Sequence, residues 1–224
     1  PNESALNHVI SGNHMKKLAI LFSLTLGWTS IGFAATANPV GDAAAGKGKS
    51  VACGACHGAD GNSAAPFPKL AAQGEKYLLK QLRDIRDGIR AVPTMAGQLD
   101  NMTEQDLADI SAYFASQVRS GGQTNPELLA LGEKIYRAGV PDRKVAACIA
   151  CHSPTGKGNA PAGFPSLAGQ HPLYIADQLR AYRKGYEDPA GRTNDGDAMI
   201  MRTTAFGLSD REIEAVSSYV AGLK

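Results

Sequence analysis

All four cysteines of the chain lie in two short stretches, and in each stretch a histidine directly follows the second cysteine. The residues are Cys53, Cys56 and His57 in the first stretch and Cys148, Cys151 and His152 in the second. Two thiols at this spacing can form thioethers with the vinyl groups of a porphyrin, and the adjacent imidazole can bind its iron. This pattern is the attachment signature of a c-type haem, so the sequence predicts two covalently bound haem c groups.

Three other kinds of site also use paired cysteines at this spacing. One zinc ion could take all four thiolates, and each pair could instead form a disulfide or a redox-active dithiol. The zinc interpretation leaves unexplained why a histidine recurs at the same offset in both stretches. A thioredoxin-like dithiol would need alternating strands and helices, a pattern that the sequence does not show. These observations favour the haem interpretation over the other three.

The sequence around the two cysteine stretches is repeated, which predicts two all-α domains of the same design. FPKLAAQGEKYLLKQLRDIRDG, from Phe67, is matched by FPSLAGQHPLYIADQLRAYRKG, from Phe164. MTEQDLADISAYFASQ, from Met102, is matched by LSDREIEAVSSYVAGL, from Leu208. In all four blocks the apolar residues recur at helical spacing, and no strand pattern competes.

Local signals place the ends and contacts of several helices. Thr103 and Ser209 each precede an acidic residue by three positions, which predicts two capping boxes. Shorter helices are expected over residues 42–52 and 127–137. In them Gly46 and Gly132 would let another helix approach closely, the alternative being that both glycines are merely tolerated. Ser120 to Pro126 has the composition of a linker, and Pro126 is suited to open the next helix. The domains are therefore expected at residues 38–121 and 122–224.

The sixth ligand of each iron decides between an open haem, which binds small molecules, and a capped haem, which transfers electrons. The candidates are Met95, Met102, Met199, Met201 and His171. When the capping boxes are aligned, Met95 and Met201 each lie eight residues before the capping hydroxyl. Met102 aligns with the apolar Leu208, and Met199 remains the alternative to Met201. His171 aligns with Gly74 and is expected to face solvent.

An iron-bound imidazole normally donates its other N–H to an acceptor that fixes the ring. Pro68 and Pro165 follow the two histidines by eleven and thirteen residues, and their backbone carbonyls are the candidate acceptors. The alternative is that both prolines only shape the turn in which they lie. The sequence does not decide between these two roles.

The N-terminal region has the features of an export signal. Residues 1–14 precede the first methionine and are interpreted as upstream translated sequence. Residues 15–37 contain a basic start, an apolar run over residues 18–33 and small residues, which predicts a signal peptide cleaved near Ala35 or Ala37. A retained membrane anchor is the alternative, because the run approaches the length of a short spanning helix. Its serines and threonines and the alanine-rich end favour cleavage.

The charge of the chain argues against a nucleic-acid partner. The formal net charge is +2, and it falls to about +1 without Lys16, Lys17 and Glu3. A nucleic-acid-binding domain would need a strong basic patch, and the charges are almost balanced within each predicted domain.

Each half resembles a small class I cytochrome c, and the tandem resembles the dihaem cytochrome c4 family. The resemblance covers residues 38–224 and rests on both cysteine motifs, the two Phe-Pro-x-Leu-Ala segments, GQHPLYIADQLRAYRKG and RTNDGDAMIMR. It implies a periplasmic protein, often loosely associated with the membrane, whose two haems face each other across a domain interface. It also implies electron transfer from a donor such as a quinol–cytochrome c reductase to a haem-copper terminal oxidase. Ser153 replaces the glycine that follows the first histidine, a departure expected to be harmless.

Two other functions are compatible with tandem haem domains. The cytochrome subunit of flavocytochrome c sulfide dehydrogenases has similar halves, so the chain could be the dihaem electron-transfer subunit of a flavocytochrome c-type dehydrogenase. A dihaem peroxidase would need an open haem, and the pairing of Met95 with Met201 argues against it. An electron carrier that is not itself an enzyme is the favoured interpretation.

Overall fold

The computed structural model describes residues 38–64 and 66–224, and the predicted signal peptide lies outside these ranges. The helices are α1 (Ala43–Lys49), α2 (Gly54–His57), α3 (Glu75–Arg86), α4 (Glu104–Ala115), α5 (Pro126–Ala138), α6 (Ile149–His152), α7 (Pro172–Gly185), α8 (Ile200–Phe206) and α9 (Asp210–Gly222). Short 3-10 turns span Pro93–Met95 and Pro141–Arg143. No strand occurs in these ranges beyond two isolated bridges, so the all-α prediction is confirmed.

The two halves place corresponding helices in the same order. α1, α2, α3 and α4 of the first half correspond to α5, α6, α7 and α9 of the second, and α8 has no α-helical counterpart. Both predicted capping boxes are present, at Thr103 before α4 and at Ser209 before α9. Pro126 occupies the first turn of α5, as its position in the sequence predicted. Because these signals act within a few residues, the sequence alone locates the helix starts well.

Each half is organised around a close crossing of its first and last helices. At Gly46 the backbone of α1 lies so near to α4 that an added Cβ would overlap the carbonyl oxygen of Asp109. At Gly132 the same overlap would occur between α5 and the carbonyl oxygen of Ala215 in α9. The prediction that both glycines permit close helix packing is therefore confirmed.

The segment between the halves is held against the protein by Lys69. Its ammonium group donates to the carbonyl oxygens of Ser120 at 2.9 Å and Gly169 at 3.0 Å. Burial, together with the nearby charge of Arg119, lowers the pKa of Lys69. A residue of the first half thus ties down the linker and contacts the second half at the same point.

None of the helices in the described ranges combines the length and the apolar character required to cross a bilayer.

Candidate haem-binding sites

The two cysteine motifs adopt the same local structure. Each forms a four-residue helix, α2 or α6, with the first cysteine as the N-cap and the histidine as the last residue. The residue after each histidine reverses the chain with a positive φ, 78° at Gly58 and 67° at Ser153. A serine in this backbone region is strained, because the region is open almost only to glycine. The expectation that Ser153 is harmless is thus wrong for the backbone.

The geometry of the thiols bears on the competing interpretations of the cysteines. All four are free, so no disulfide joins them. In the described part of the chain, no three side chains among His, Cys, Asp and Glu converge to hold a metal ion. The four thiols of the zinc interpretation are therefore not brought together among these residues. Burial raises the pKa of Cys53 and raises that of Cys148 to about 11, which favours the neutral thiol before any bond is formed.

Both histidines are buried and held in one orientation. His57 is 7% exposed and His152 is 6% exposed. Nδ1 of His57 lies 2.9 Å from the carbonyl oxygen of Pro68, and Nδ1 of His152 lies 2.9 Å from that of Pro165. A carbonyl oxygen can only accept, so Nδ1 must be the protonated nitrogen in each ring. Nε2 is then left with its lone pair, as a metal ligand requires.

The surroundings of the rings favour the neutral imidazole. Burial lowers the pKa of both histidines, although the carbonyl hydrogen bonds oppose that shift. Phe67 packs edge-on against His57 with 6.1 Å between ring centres, and Phe164 packs in the same way against His152 at 6.4 Å. The Phe-Pro segment of each repeat thus supplies both an apolar contact and a hydrogen-bond acceptor to the histidine.

The candidate methionines lie in segments of different structure. Met95 ends the 3-10 turn of the first half and packs on a core cluster that includes Leu79 and Leu107. Met201 lies in the first turn of α8, directly after Met199 and Ile200. Met199 is the N-cap of this helix and has a left-handed backbone, with φ 49° and ψ 33°. The half-buried Met199 and Met201 both remain near the start of α8, so ligation by Met201 stays a proposal.

One residue is placed differently from the sequence expectation. His171 does not face solvent: it is half-buried, and its Nε2 lies 2.9 Å from the carbonyl oxygen of Ser63 in the other half. The alignment with Gly74 missed this contact because a repeat shows which positions correspond, and not which of them meet at an interface.

A cluster of charged and polar side chains between the halves was also missed by the sequence reasoning. Arg192 is 8% exposed, and Arg90 is half-buried. Both guanidinium groups donate to the side-chain oxygens of Gln81 and Gln178, at 2.7–2.9 Å. Arg192 also lies over the ring of Tyr182, 4.4 Å from its centre. Neither arginine forms an ion pair with any residue that the structure describes.

This cluster provides a test of whether the protein fits a haem. Buried cations are normally matched by negative charge, and here the hydrogen-bond partners of both arginines are neutral. Haem groups carry carboxylates, which would supply the missing charge. The free thiols, the buried neutral imidazoles and this excess of positive charge all fit a porphyrin bound in each half.

Comparisons with known proteins agree with this site. The cytochrome c family model matches residues 43–117 and 129–224. Cytochrome c4 of Pseudomonas aeruginosa is 55% identical over 210 residues, covering 93% of this chain and all of that protein. The crystal structure of reduced recombinant cytochrome c4 from Pseudomonas stutzeri matches with a TM-score of 0.79 and 54% identity, over 83% of this chain and all of that one.

A further relative has a different description. The thiosulfate dehydrogenase electron acceptor of Stutzerimonas stutzeri is 35% identical, over 77% of this chain and 79% of that protein.

Together with two matched domains and two haem attachment motifs, these similarities identify the cofactors as two covalently bound haem c groups. The chain therefore belongs to the cytochrome c4 family of dihaem electron-transfer proteins.

Proposed function

We propose that the protein is a periplasmic dihaem carrier that passes electrons from a quinol–cytochrome c reductase to a haem-copper terminal oxidase. The observation that carries this proposal is the pair of matching histidine sites, each with a buried imidazole and a 2.9 Å hydrogen bond to a proline carbonyl. A catalytic dihaem protein would be expected to differ at one of its two sites. Two matching sites are what an electron carrier with two haems of the same kind would show.

The proposed axial ligands are His57 and Met95 for the first haem and His152 and Met201 for the second. Each bound haem supplies an iron that accepts and releases one electron. If these residues hold the irons as proposed, no coordination position would remain for a substrate, and the transfer would be outer-sphere. The protein positions the cofactors and does not transform a substrate.

The chain's own residues adjust this chemistry in three ways. The proline carbonyls fix the imidazole rings and increase their basicity as ligands. Methionine ligation raises the reduction potential, as it does in other cytochromes c. Pro68 and Pro165 are thus proposed as part of the cofactor site, in addition to the four cysteines and four axial ligands.

The proposal also covers the domain boundaries and the cellular location of the protein. We propose domains at residues 38–121 and 122–224, with a signal peptide over residues 15–37 that directs the chain to the periplasm. Loose association with the outer face of the inner membrane is part of the same proposal.

The function is tested by electron transfer to and from respiratory membranes of the organism that produces the protein. Reduced holo-protein should be oxidised in the presence of oxygen, and an inhibitor of haem-copper oxidases should stop the oxidation. Oxidised holo-protein should be reduced when quinol is added, and an inhibitor of the reductase should stop that reduction. Failure of both reactions, with both haems intact, would contradict the carrier proposal.

A second candidate is the electron-transfer partner or subunit of a dehydrogenase, as in the flavocytochrome c-type alternative. The relative described as a thiosulfate dehydrogenase electron acceptor favours this class. It predicts that the haem protein in a periplasmic extract elutes with a dehydrogenase, and that the dehydrogenase's substrate reduces it. The carrier proposal predicts elution at the size of the chain alone.

A further inference from the structure

A single peptide group in the first half connects the haem-binding histidine to the second half. The peptide between Pro68 and Lys69 has a carbonyl oxygen that accepts from Nδ1 of His57 at 2.9 Å. The N–H of the same peptide donates to Oε1 of Gln170, also at 2.9 Å. The two hydrogen bonds lie on opposite sides of one planar, polarisable group, so a residue of the second half is linked to the histidine of the first.

The same arrangement occurs in the opposite direction. The peptide between Pro165 and Ser166 accepts from Nδ1 of His152 at 2.9 Å. Its N–H donates to Oε1 of Gln73, in the first half, at 2.7 Å. Gln73 and Gln170 occupy the same position of the repeat, seven residues into the Phe-Pro blocks. The two halves therefore exchange equivalent glutamines across their interface.

Both glutamine side chains are fixed by further hydrogen bonds. Gln73 is 6% exposed and Gln170 is 4% exposed. The amide nitrogen of Gln170 donates to the carbonyl oxygen of Lys69 at 2.9 Å, and that of Gln73 donates to the carbonyl oxygen of Ser166 at 3.0 Å. Each Oε1 also accepts from the N–H of the next residue in its own chain segment, at 3.0–3.1 Å. Each amide is thus held with its oxygen toward the peptide N–H of the other half.

Buried hydrogen bonds that are connected in series polarise one another. When a peptide N–H donates to the glutamine oxygen, the carbonyl oxygen of that peptide becomes more negative. It then accepts more strongly from the histidine Nδ1, and the imidazole becomes a stronger electron donor to the iron. A stronger donor stabilises the ferric state relative to the ferrous state, which lowers the reduction potential.

We infer that Gln73 and Gln170 are positioning residues that tune the reduction potential of the haem in the opposite half. The inference rests on the proposed ligation of iron by His57 and His152, and it goes beyond it by assigning a cross-domain control of each site. Docking of the halves is then part of what sets both potentials.

The test is a redox titration of the holo-protein with Gln170→Leu and Gln73→Leu, following each haem by its methyl proton resonances in nuclear magnetic resonance. The resonances are assigned to each half with Met95→Ala and Met201→Ala. Gln170→Leu should raise the potential of the first haem only, and Gln73→Leu that of the second haem only. The expected shift in the redox equilibrium is between about threefold and tenfold, where tenfold corresponds to about 59 mV for one electron.

Two control variants separate this effect from damage to the interface. Lys76 donates across the interface to the carbonyl oxygen of Pro161 at 3.0 Å and forms no hydrogen bond with either histidine peptide, so Lys76→Met should leave both potentials unchanged. Gln170→Glu keeps an oxygen acceptor for the peptide N–H. It should leave the first haem at or below its original potential, and a rise equal to that of Gln170→Leu would contradict the inference.

The remaining outcomes are equally decisive. A shift of the haem in the same half as the substitution, an equal shift of both haems, or no shift in either would overturn the inference. The absorption spectrum of each variant distinguishes this failure from a failure of the proposed function. Intact six-coordinate haems with unmoved potentials reject the glutamine effect, whereas a wild-type protein whose haems are not bound by these histidines rejects the ligand assignment.

Discussion

The first and last helices pack through charged residues in the first half and through apolar residues in the second. The ammonium group of Lys49, in α1, lies 2.7 Å from the carboxylate of Asp106 and 2.5 Å from that of Asp109, in α4. When the two close glycines are aligned, Lys49 corresponds to Ile135 and Asp109 corresponds to Ala215. The same crossing is thus stabilised by ion pairs in one half and by apolar packing in the other.

The buried apolar core is also more continuous in the second half than in the first. In the second half ten buried residues form one continuous cluster, which includes Ile135, Tyr136 and Tyr219. In the first half the described core divides into clusters of four and three buried residues. The histidine sites are nevertheless alike, so the geometry at the iron does not require one particular kind of core. We expect the first half to depend more on its haem and its ion pairs for stability.

The largest expected effect is the loss of an axial methionine, which tests whether the sites are as alike as their histidines. Met95→Ala and Met201→Ala should each open one haem of the two, because alanine offers no ligand to the iron. Carbon monoxide added to the reduced protein should then bind to half of the haem, as measured by absorption. Met102→Ala and Met199→Ala should bind none, and binding by Met199→Ala would move the ligand assignment from Met201 to Met199.

A side chain added at the helix crossing should lower the stability of the protein by a similar amount in both halves. Gly46→Ala and Gly132→Ala each place a Cβ against a backbone carbonyl, which should destabilise the protein by about 1–3 kcal/mol. Gly48 is the matched control, since the space around it is open, and Gly48→Ala should stabilise α1 by about 0.5–1 kcal/mol. Denaturant unfolding followed by circular dichroism measures all three. Equal effects at Gly46 and Gly48 would contradict the close crossing.

Exchanging serine and glycine directly after each histidine should change the stability by a smaller amount, with opposite signs in the two halves. Ser153 has φ 67° and ψ 161°, a conformation that costs a non-glycine residue about 1–3 kcal/mol. Ser153→Gly relieves this strain but loses the hydrogen bond from the N–H of Lys157 to the serine oxygen, so a net gain of about 1 kcal/mol is expected. Gly58→Ser should destabilise the first half by a similar amount. Thermal unfolding of the two variants checks the signs, and a loss of stability in Ser153→Gly would refute the strain.

Lowering the pH should destabilise the first half through the ion pair of Lys49 and Asp109, which has no equivalent in the second half. The hydrogen bond from Lys49 is the main reason that the pKa of Asp109 falls to about 2 from 3.8. A depressed carboxyl pKa contributes stability above the unfolded value, and that stability is lost as pH falls from about 4 to about 2. Lys49→Met should therefore be less stable than the original protein above pH 4, and the difference should shrink toward pH 2. A difference that does not change with pH would show that Lys49 acts only through packing.

The sequence predicts the helices and the haem motifs well because these depend on local spacing. The capping boxes, Pro126 and the two close glycines are all confirmed by the structure. The proline carbonyls could only be offered as candidates, since the direction of a carbonyl depends on how the whole turn folds. The structure now places both at hydrogen-bond distance from the histidines.

The interface between the halves was beyond what the sequence could show. Gln73 and Gln170 recur at the same repeat position, but a glutamine in a polar segment has the appearance of a surface residue. His171 was wrongly expected in solvent for a related reason: the residue it contacts, Ser63, is 108 positions away in the chain. The repeat predicts the structure of each half separately. Contacts between the halves produce no repeating pattern in the sequence, so the sequence does not predict them.

The most direct test of the account is the absorption spectrum of the purified holo-protein, before and after carbon monoxide is added to the reduced form. The account predicts two haems that both show the weak sulfur-to-ferric-iron band when oxidised and that do not bind carbon monoxide when reduced. Binding of carbon monoxide to either haem in undamaged protein would reveal an open iron. That result would contradict the assignment of histidine and methionine to both haems, and with it the outer-sphere carrier.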